Sequence, residues 1–277
     1  MLDKLIKYDM KSLRRVLLPL MLAIPVSALL CTAALRLLIS LINTTENGNI
    51  LTVMLIMTSG IFILANAFVI LACPTAALVF TMVNFYRSLY TDEGYLTFTL
   101  PVKTSEILNS KYLTAVIWGF IAAIVSLLSG TFVLLFGTST DSLINYDIIP
   151  GLADFFGTFI EIFTPGGITI YLIQLVIAAL YQIIVLFLAI TIGSVIVKKF
   201  RALASIGIYY AINVVVSTVT SIISFLMMFA TGFSDDVDVS LMLTFSSPVI
   251  NSVLYLGFGV AAYITCLHLM KNKLDLS

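Results

Sequence analysis

The chain has 277 residues, of which 61% are hydrophobic and only 10% charged, with a mean hydropathy of +1.14. A soluble domain carries about 25% charged residues to cover its surface, so water cannot be the main solvent here. Lys plus Arg and Asp plus Glu balance at 14 each; net charge therefore gives no reason to expect nucleic acid as a partner, and the position of each sign is what informs.

In chain order, residues 2 to 15 set Leu2, Leu5, Ile6, Met10 and Leu13 on one helical face and Lys4, Lys7, Lys11 and Arg14 on the other. This pattern predicts an N-terminal interfacial helix, apolar side in lipid and basic side toward anionic headgroups. A first span follows at Leu17 to Ile42, too long for a signal-peptide core and without a small-x-small cleavage site at its end, so it is read as retained. Arg36 lies inside it, within about two turns of its outer end, where a long side chain can snorkel to the headgroups or meet a substrate or partner. The second apolar run, Leu51 to Tyr86, falls short of the ~40 residues that two spans and a turn would need. It predicts one long helix, bent at Pro74 and projecting beyond the bilayer.

Between the second and third spans lies the segment Arg87 to Lys111. A plain linker would be short or polar, yet Tyr90, Tyr95, Leu96, Phe98 and Leu100 give this one apolar bulk beside Asp92 and Glu93, with a permissive turn at Gly94. The expected local structure is a short helix ending near Gly94, then an extended run to Pro101. Thr104 with Glu106 supplies the next helix start, since a hydroxyl can cap free amides and a carboxylate suits the positive end of the dipole. The third span is Leu113 to Gly137. After it, Leu152, Phe155, Phe156, Phe159, Ile160 and Phe163 recur at helical spacing opposite Asp154, Thr158 and Glu161, an amphipathic segment over 151 to 163 too short to span.

The last three spans are Ile168 to Val197, Ala202 to Thr231 and Pro248 to Leu269. The fifth carries Ser205, Tyr209, Asn213, Ser217 and Ser221 at every fourth position, a polar stripe that drifts slowly around the helix. Asn66 on the second span, Gln174 and Gln182 on the fourth and Asn251 on the sixth add amides. Such groups either join helices, at about 0.6 kcal/mol each, or line a substrate path.

The basic residues set the expected orientation. Lys4, Lys7, Lys11, Arg14 and Arg15 precede the first span, Arg87, Lys103 and Lys111 separate the second from the third, Lys198, Lys199 and Arg201 the fourth from the fifth, and Lys271 and Lys273 follow the sixth. Apart from Arg36, every Lys and Arg thus falls on one side of the membrane, while the opposite loops hold Glu46, Asp141, Asp147, Asp154, Glu161, Asp235, Asp236 and Asp238. By the positive-inside rule the basic side is cytosolic, giving a multi-pass protein of the plasma membrane with both termini inside and residues 1 to 277 forming a single transmembrane domain.

No chemistry-bearing motif accompanies this architecture. GxxxxGK[ST], HExxH and GxSxG are absent, and the single His268 sits near Lys271 with no second ligand beside it. Cys31, Cys73 and Cys266 are far apart in apolar runs, a pattern for neither a disulfide framework nor a zinc site. The sequence therefore predicts no catalytic or metal-binding residue, no cofactor held by this chain, and no enzyme. The spans contain no Asp, Glu or Lys, which speaks against an ion-coupled carrier, although sites built from carbonyls and hydroxyls would escape such a count.

The run Phe85 to Lys111, with its core Asp92-Glu93-Gly94-Tyr95-Leu96-Thr97 through Leu100-Pro101-Val102, resembles the loop between the second and third spans of ABC-2 type permeases from Gram-positive bacteria. The opening Leu5-Ile6-Lys7-Tyr8-Asp9-Met10-Lys11-Ser12 with Leu18-Pro19-Leu20 is similar to the usual start of such subunits. The resemblance implies the membrane subunit of a type V ATP-binding-cassette exporter: all-α, six transmembrane helices, an interfacial N-terminal helix and a cytosolic coupling helix between helices two and three. It implies Tyr86, Arg87, Leu89, Tyr90, Asp92, Glu93, Gly94, Tyr95, Leu96, Thr97, Leu100 and Pro101 as the surface that meets a separate ATPase, which would hold ATP and magnesium. A second permease subunit, identical or related, would complete the pathway among membrane lipids. The longer outer segment after the third span departs from relatives that carry the larger elaboration before the last span. A peptide antibiotic, a lipid or an amphiphilic drug would each suit an apolar path with scattered amides. The alternatives are a non-transporting membrane interaction or sensor protein and an ion-driven carrier.

Overall fold

In the computed structural model the described residues are 2–44, 50–91, 94, 99, 102–137, 165–196, 200–231 and 239–272. Nearly all of them are helical. Six helices are long and apolar enough to cross a membrane: α1 Leu2–Thr44, α2 Ile50–Tyr90, α3 Thr104–Gly137, α4 Pro165–Ile196, α5 Arg201–Thr231 and α6 Val239–Asn272. Every span read from the sequence has its helix. The 41 residues of α2 form a single helix with Pro74 inside it, about 60 Å at 1.5 Å per residue and twice the hydrocarbon thickness.

Two boundaries and one helix cap differ from expectation. The amphipathic residues 2 to 15 and the first span run together as one helix of 43 residues, with Pro19 and Pro25 in its interior. Pro19 removes one backbone bond, to the Arg15 carbonyl, and that loss is not enough to end a helix packed on both sides of it. The helix α6 starts at Val239, before the expected Pro248, which is an interior residue whose carbonyl accepts from the Ser252 hydroxyl at 2.7 Å. The helix α3 begins at Thr104 as expected, but the acceptor for its first amides is the Lys103 carbonyl, 2.9 Å from the Glu106 nitrogen and 3.3 Å from that of Ile107, so Thr104 is already inside the helix.

The chain divides into two compact units. The first comprises α1 from Asp3, α2 as far as Val83 and α3 from Leu113. Its core joins Leu13, Leu17, Met21 and Ile24 of α1 to Cys73 and Ala77 of α2 and Trp118 and Ala122 of α3, with Met10 partly buried against them. The apolar face of the N-terminal amphipathic segment thus packs on protein at Met10 and Leu13, while Lys4, Lys7, Lys11 and Arg14 are exposed. At the other end of this unit the Arg36 Nε donates to the Phe136 carbonyl at 2.8 Å. A cation at the last turn of α3 satisfies an orphan carbonyl and complements the negative end of the dipole, a role distinct from snorkelling and from substrate contact.

The second unit holds the last turns of α2 from Asn84, the start of α3 to Tyr112, and α4, α5 and α6. At its centre lies the stretch 181 to 193 of α4, with Ile183, Ile184, Val185, Phe187, Leu188, Ala189, Ile190 and Thr191 all inside, whereas Leu172, Ile173 and Leu175 nearer the start of the helix are exposed. Its segment also has the highest mean hydropathy of the six, 2.7 against 1.8 for those in α5 and α6, as expected of a helix with no polar face. Contacts advance together along α4 and α6, since Tyr181 stacks on Tyr255 and Thr191 meets Cys266, so these two run parallel. Along α4 and α5 they run oppositely, as Gly193 abuts Ser205 while Gln182 reaches Asn213. A Cβ at Gly193 would stand 2.8 Å from the Ser205 nitrogen and 2.9 Å from its Cα; the crossing needs glycine.

A candidate coupling site between the second and third spans

The ends of the segment joining α2 to α3 are both anchored in the second unit. On the α2 side, Phe85 stacks face to face on Phe187 of α4, ring centroids 4.0 Å apart and planes 3° from parallel. One turn on, the Tyr90 hydroxyl donates to Thr191 Oγ1 at 2.9 Å. The Thr191 hydroxyl spends its only proton on the Phe187 carbonyl at 2.8 Å, which makes Cys266 of α6 the donor in its 3.4 Å contact with Thr191. Phe85, Leu89, Tyr90, Thr191 and Cys266 are all buried. On the α3 side, the Tyr263 hydroxyl of α6 donates to Asn109 Oδ1 at 2.7 Å, and the Tyr112 hydroxyl donates to the Leu180 carbonyl of α4 at 3.1 Å.

The turn that leaves α2 is tight. The Thr91 hydroxyl bonds to the Arg87 carbonyl, and the Gly94 nitrogen donates to the Thr91 carbonyl at 2.7 Å. Gly94 is helical and buried. It lies so close to the end of α2 that a Cβ there would be 2.8 Å from the Leu89 carbonyl carbon and closer still to its oxygen. The requirement for glycine is this close approach rather than a left-handed backbone. Thr99 is also helical, which corrects the expected extended run to Pro101 at that position; a threonine flanked by Phe98 and Leu100 reads as a strand residue by local preference, a weak prior that context overrides.

Among the expected coupling residues, the structure brings Leu89, Tyr90 and Gly94 into this buried junction. Tyr86 stacks on Tyr90 at a centroid distance of 6.0 Å, and Arg87 is the last basic residue of α2. Asp92, Glu93, Tyr95, Leu96, Thr97, Leu100 and Pro101 lie outside the described residues, as does the amphipathic segment 151 to 163.

The candidate lining residues divide. Gln182, Tyr209 and Asn213 close a ring between α4 and α5: Tyr209 donates to Gln182 Oε1 at 2.9 Å, Gln182 Nε2 to Asn213 Oδ1 at 3.1 Å and Asn213 Nδ2 to the Tyr209 carbonyl at 3.0 Å. Each side-chain amide is thereby committed to holding the helices together. Ser205 is buried against Gly193, its hydroxyl on the Arg201 carbonyl at 2.8 Å. Ser217 and Ser221 are exposed, and the Ser217 hydroxyl bonds within α5 to the Val214 carbonyl at 3.0 Å. Asn66, in the first unit, is buried and donates to Phe62 of its own helix at 2.8 Å. Gln174 is half-buried, and Asn251 has a buried Oδ1 with no partner among the described residues.

The sequence reading missed the residues that line a recess in the second unit. A cavity of about 240 Å³ is bounded by Tyr112 of α3, Tyr181 and Ile184 of α4, and Tyr255, Gly259 and Tyr263 of α6. The available signal was the spacing of Tyr255, Gly259 and Tyr263, two aromatic rings on one helical face with a residue lacking a side chain between them. Among the described residues no group of His, Cys, Asp and Glu could hold a metal, and all three cysteines are free and buried. Compared with protein-family models, curated proteins and solved structures, the chain matches none of them.

Proposed function

We propose that this chain is the permease subunit of an ATP-binding-cassette exporter and that its segment between α2 and α3 receives the motion of a separate ATPase. The single observation that carries the reading is the double anchorage of that segment. Its entry is keyed to α4 and α6 through Phe85, Tyr90, Thr191 and Cys266, and its exit through Asn109 with Tyr263 and Tyr112 with Leu180. A push on a segment held this way moves packed helices instead of being absorbed by a slack linker, because close-packed interiors transmit strain. The basic residues support the orientation. Arg87, Lys103, Lys111, Arg201 and Lys271 all belong to the end of the second unit where this segment attaches, and the positive-inside rule turns that end to the cytosol of the cell. By the same rule the basic residues of the N-terminal segment 2 to 15 face the cytosol, with their lysines toward anionic headgroups. The tyrosine-lined recess, mostly apolar with few polar groups, suits part of an amphiphilic substrate.

The mechanism is mechanical. ATP closes the partner ATPases, the segment carries the movement, and a pathway shared with a second permease subunit alternates its access. The test is purification from native membranes. An ATP-binding-cassette ATPase should accompany the chain, and charge reversal at Asp92 and Glu93 should release it. Tyr90→Phe with Thr191→Val should keep the complex and its ATP hydrolysis but lower transport into vesicles. Purification with no ATPase, or charge reversal that leaves assembly and hydrolysis unchanged, refutes the proposal.

A further inference from the structure

At the end of the second unit where the basic residues gather, the start of α3 and the end of α6 bound a cavity of about 490 Å³. It is lined by Lys103, Thr104, Ser105, Leu267, His268 and Lys271. Among the described residues two ammonium groups and an imidazole share it and no carboxylate does; Glu106, the acidic residue of the first turn of α3, is not in its wall. Among the described residues neither Lys103 nor Lys271 makes an ion pair. Like charges gathered at one concavity repel, and an anion seated between them reverses the sign of that interaction. The helix start works in the same direction. With the Lys103 carbonyl taken by the amides of Glu106 and Ile107, the amides of Thr104 and Ser105 face outward at the positive end of a helix of 34 residues, beside two hydroxyls.

We propose that this cavity binds a phosphate group, and that the phosphate belongs to the headgroup of an anionic lipid. The volume lies within the range of ligand sites. The depth argues for lipid as the source. Exposed Ile264 on α6 stands one turn, roughly 6 Å, before His268, and exposed Leu113 on α3 roughly 14 Å beyond Thr104, at 1.5 Å per residue. On α3 and α6 the cavity therefore begins where the exposed apolar surface ends, at the level of a headgroup layer several ångströms thick, and basic concavities at that level on transmembrane helices suit anionic headgroups. This inference is independent of the transport proposal, since it needs only a membrane around the six helices.

The experiment titrates dioctanoyl-phosphatidylglycerol into the whole detergent-purified chain by calorimetry, with dioctanoyl-phosphatidylcholine and inorganic phosphate as the other probes. Phosphatidylglycerol is expected to bind at least tenfold tighter than phosphatidylcholine, and the double variant Lys103→Gln, Lys271→Gln to weaken it at least tenfold. Ser105→Glu keeps both lysines and places a carboxylate where a helix start favours one, so it should preserve the fold and weaken phosphatidylglycerol as strongly. Inorganic phosphate saturating over the same concentrations, and lost in the same variants, keeps the site and makes its source a free anion. Unaltered phosphatidylglycerol binding in both variants overturns the site. So does equal binding of the two lipids, or an equal loss in Lys4→Gln, Lys7→Gln, which would make the attraction diffuse charge.

Discussion

Substituting Gly94 by alanine sets two physical rules against each other. In a helical backbone alanine is favoured over glycine by about 1 kcal/mol, and Gly94 is helical. Against that, the new Cβ would stand 2.8 Å from the Leu89 carbonyl carbon, with the Leu89 oxygen nearer still. The obstacle is backbone at the end of α2, anchored through Tyr90 to Thr191, so it cannot swing aside as a flexible side chain would. Overpacking of this kind costs about 1 to 3 kcal/mol. Set against the propensity gain, a net destabilisation of up to about 2 kcal/mol is expected, a factor of up to roughly 30 in a local opening equilibrium. Amide hydrogen exchange of residues 85 to 91 in the detergent-solubilised chain reads that factor directly. Gly60→Ala is the control, because nothing lies within 4 Å of its Cβ, and α2 there should exchange no faster than before. Exchange over residues 85 to 91 that is slowed in Gly94→Ala, as the propensity gain alone would make it, would refute the close approach and the anchored turn with it.

The Thr191 hydroxyl serves three partners and the Tyr90 hydroxyl one, so Thr191→Val should lower the thermal midpoint more than Tyr90→Phe. The latter should cost about 0.6 and at most about 1.7 kcal/mol, and the reverse order would refute the network. Gln182→Leu breaks two bonds between α4 and α5, about 1.2 kcal/mol at the usual value per bond. Adding Tyr209→Phe should cost little more because one interaction is lost once, so additive shifts in the melting temperature would count against the ring. Arg36→Gln should loosen the end of α3 by about 0.3 to 1 kcal/mol, visible as faster amide exchange near residues 131 to 137 and absent if the guanidinium only snorkels.

The helix inventory is legible in the order of residues alone. Runs such as Leu51 to Tyr86 and Ile168 to Val197 are long enough and apolar enough that only hydrogen-bonded helices satisfy their backbone in lipid, and Thr104 with Glu106 marked the start of α3 to the residue. The signal there is local, carried by consecutive residues against a solvent of known thickness. At the sixth span the helix extends back past Pro248 to Val239, because a proline restricts only its own turn and the helix persists around it. What each polar side chain does depends on how the helices pack. The stripe from Ser205 to Ser221 was visible in one dimension, but that Tyr209 and Asn213 close on Gln182 while Ser217 turns outward depends on which face of α5 meets α4. The same holds for Arg36 reaching Phe136 one hundred positions away, for Thr191 joining Tyr90 to Cys266, and for Lys103 and Lys271 sharing one cavity. Within a bilayer hydrophobicity drives insertion yet hardly distinguishes one helix pairing from another; the choice falls to close packing at residues such as Gly193 and to the few groups that must find a hydrogen-bond partner. Those are relations between distant residues, which composition and spacing do not contain.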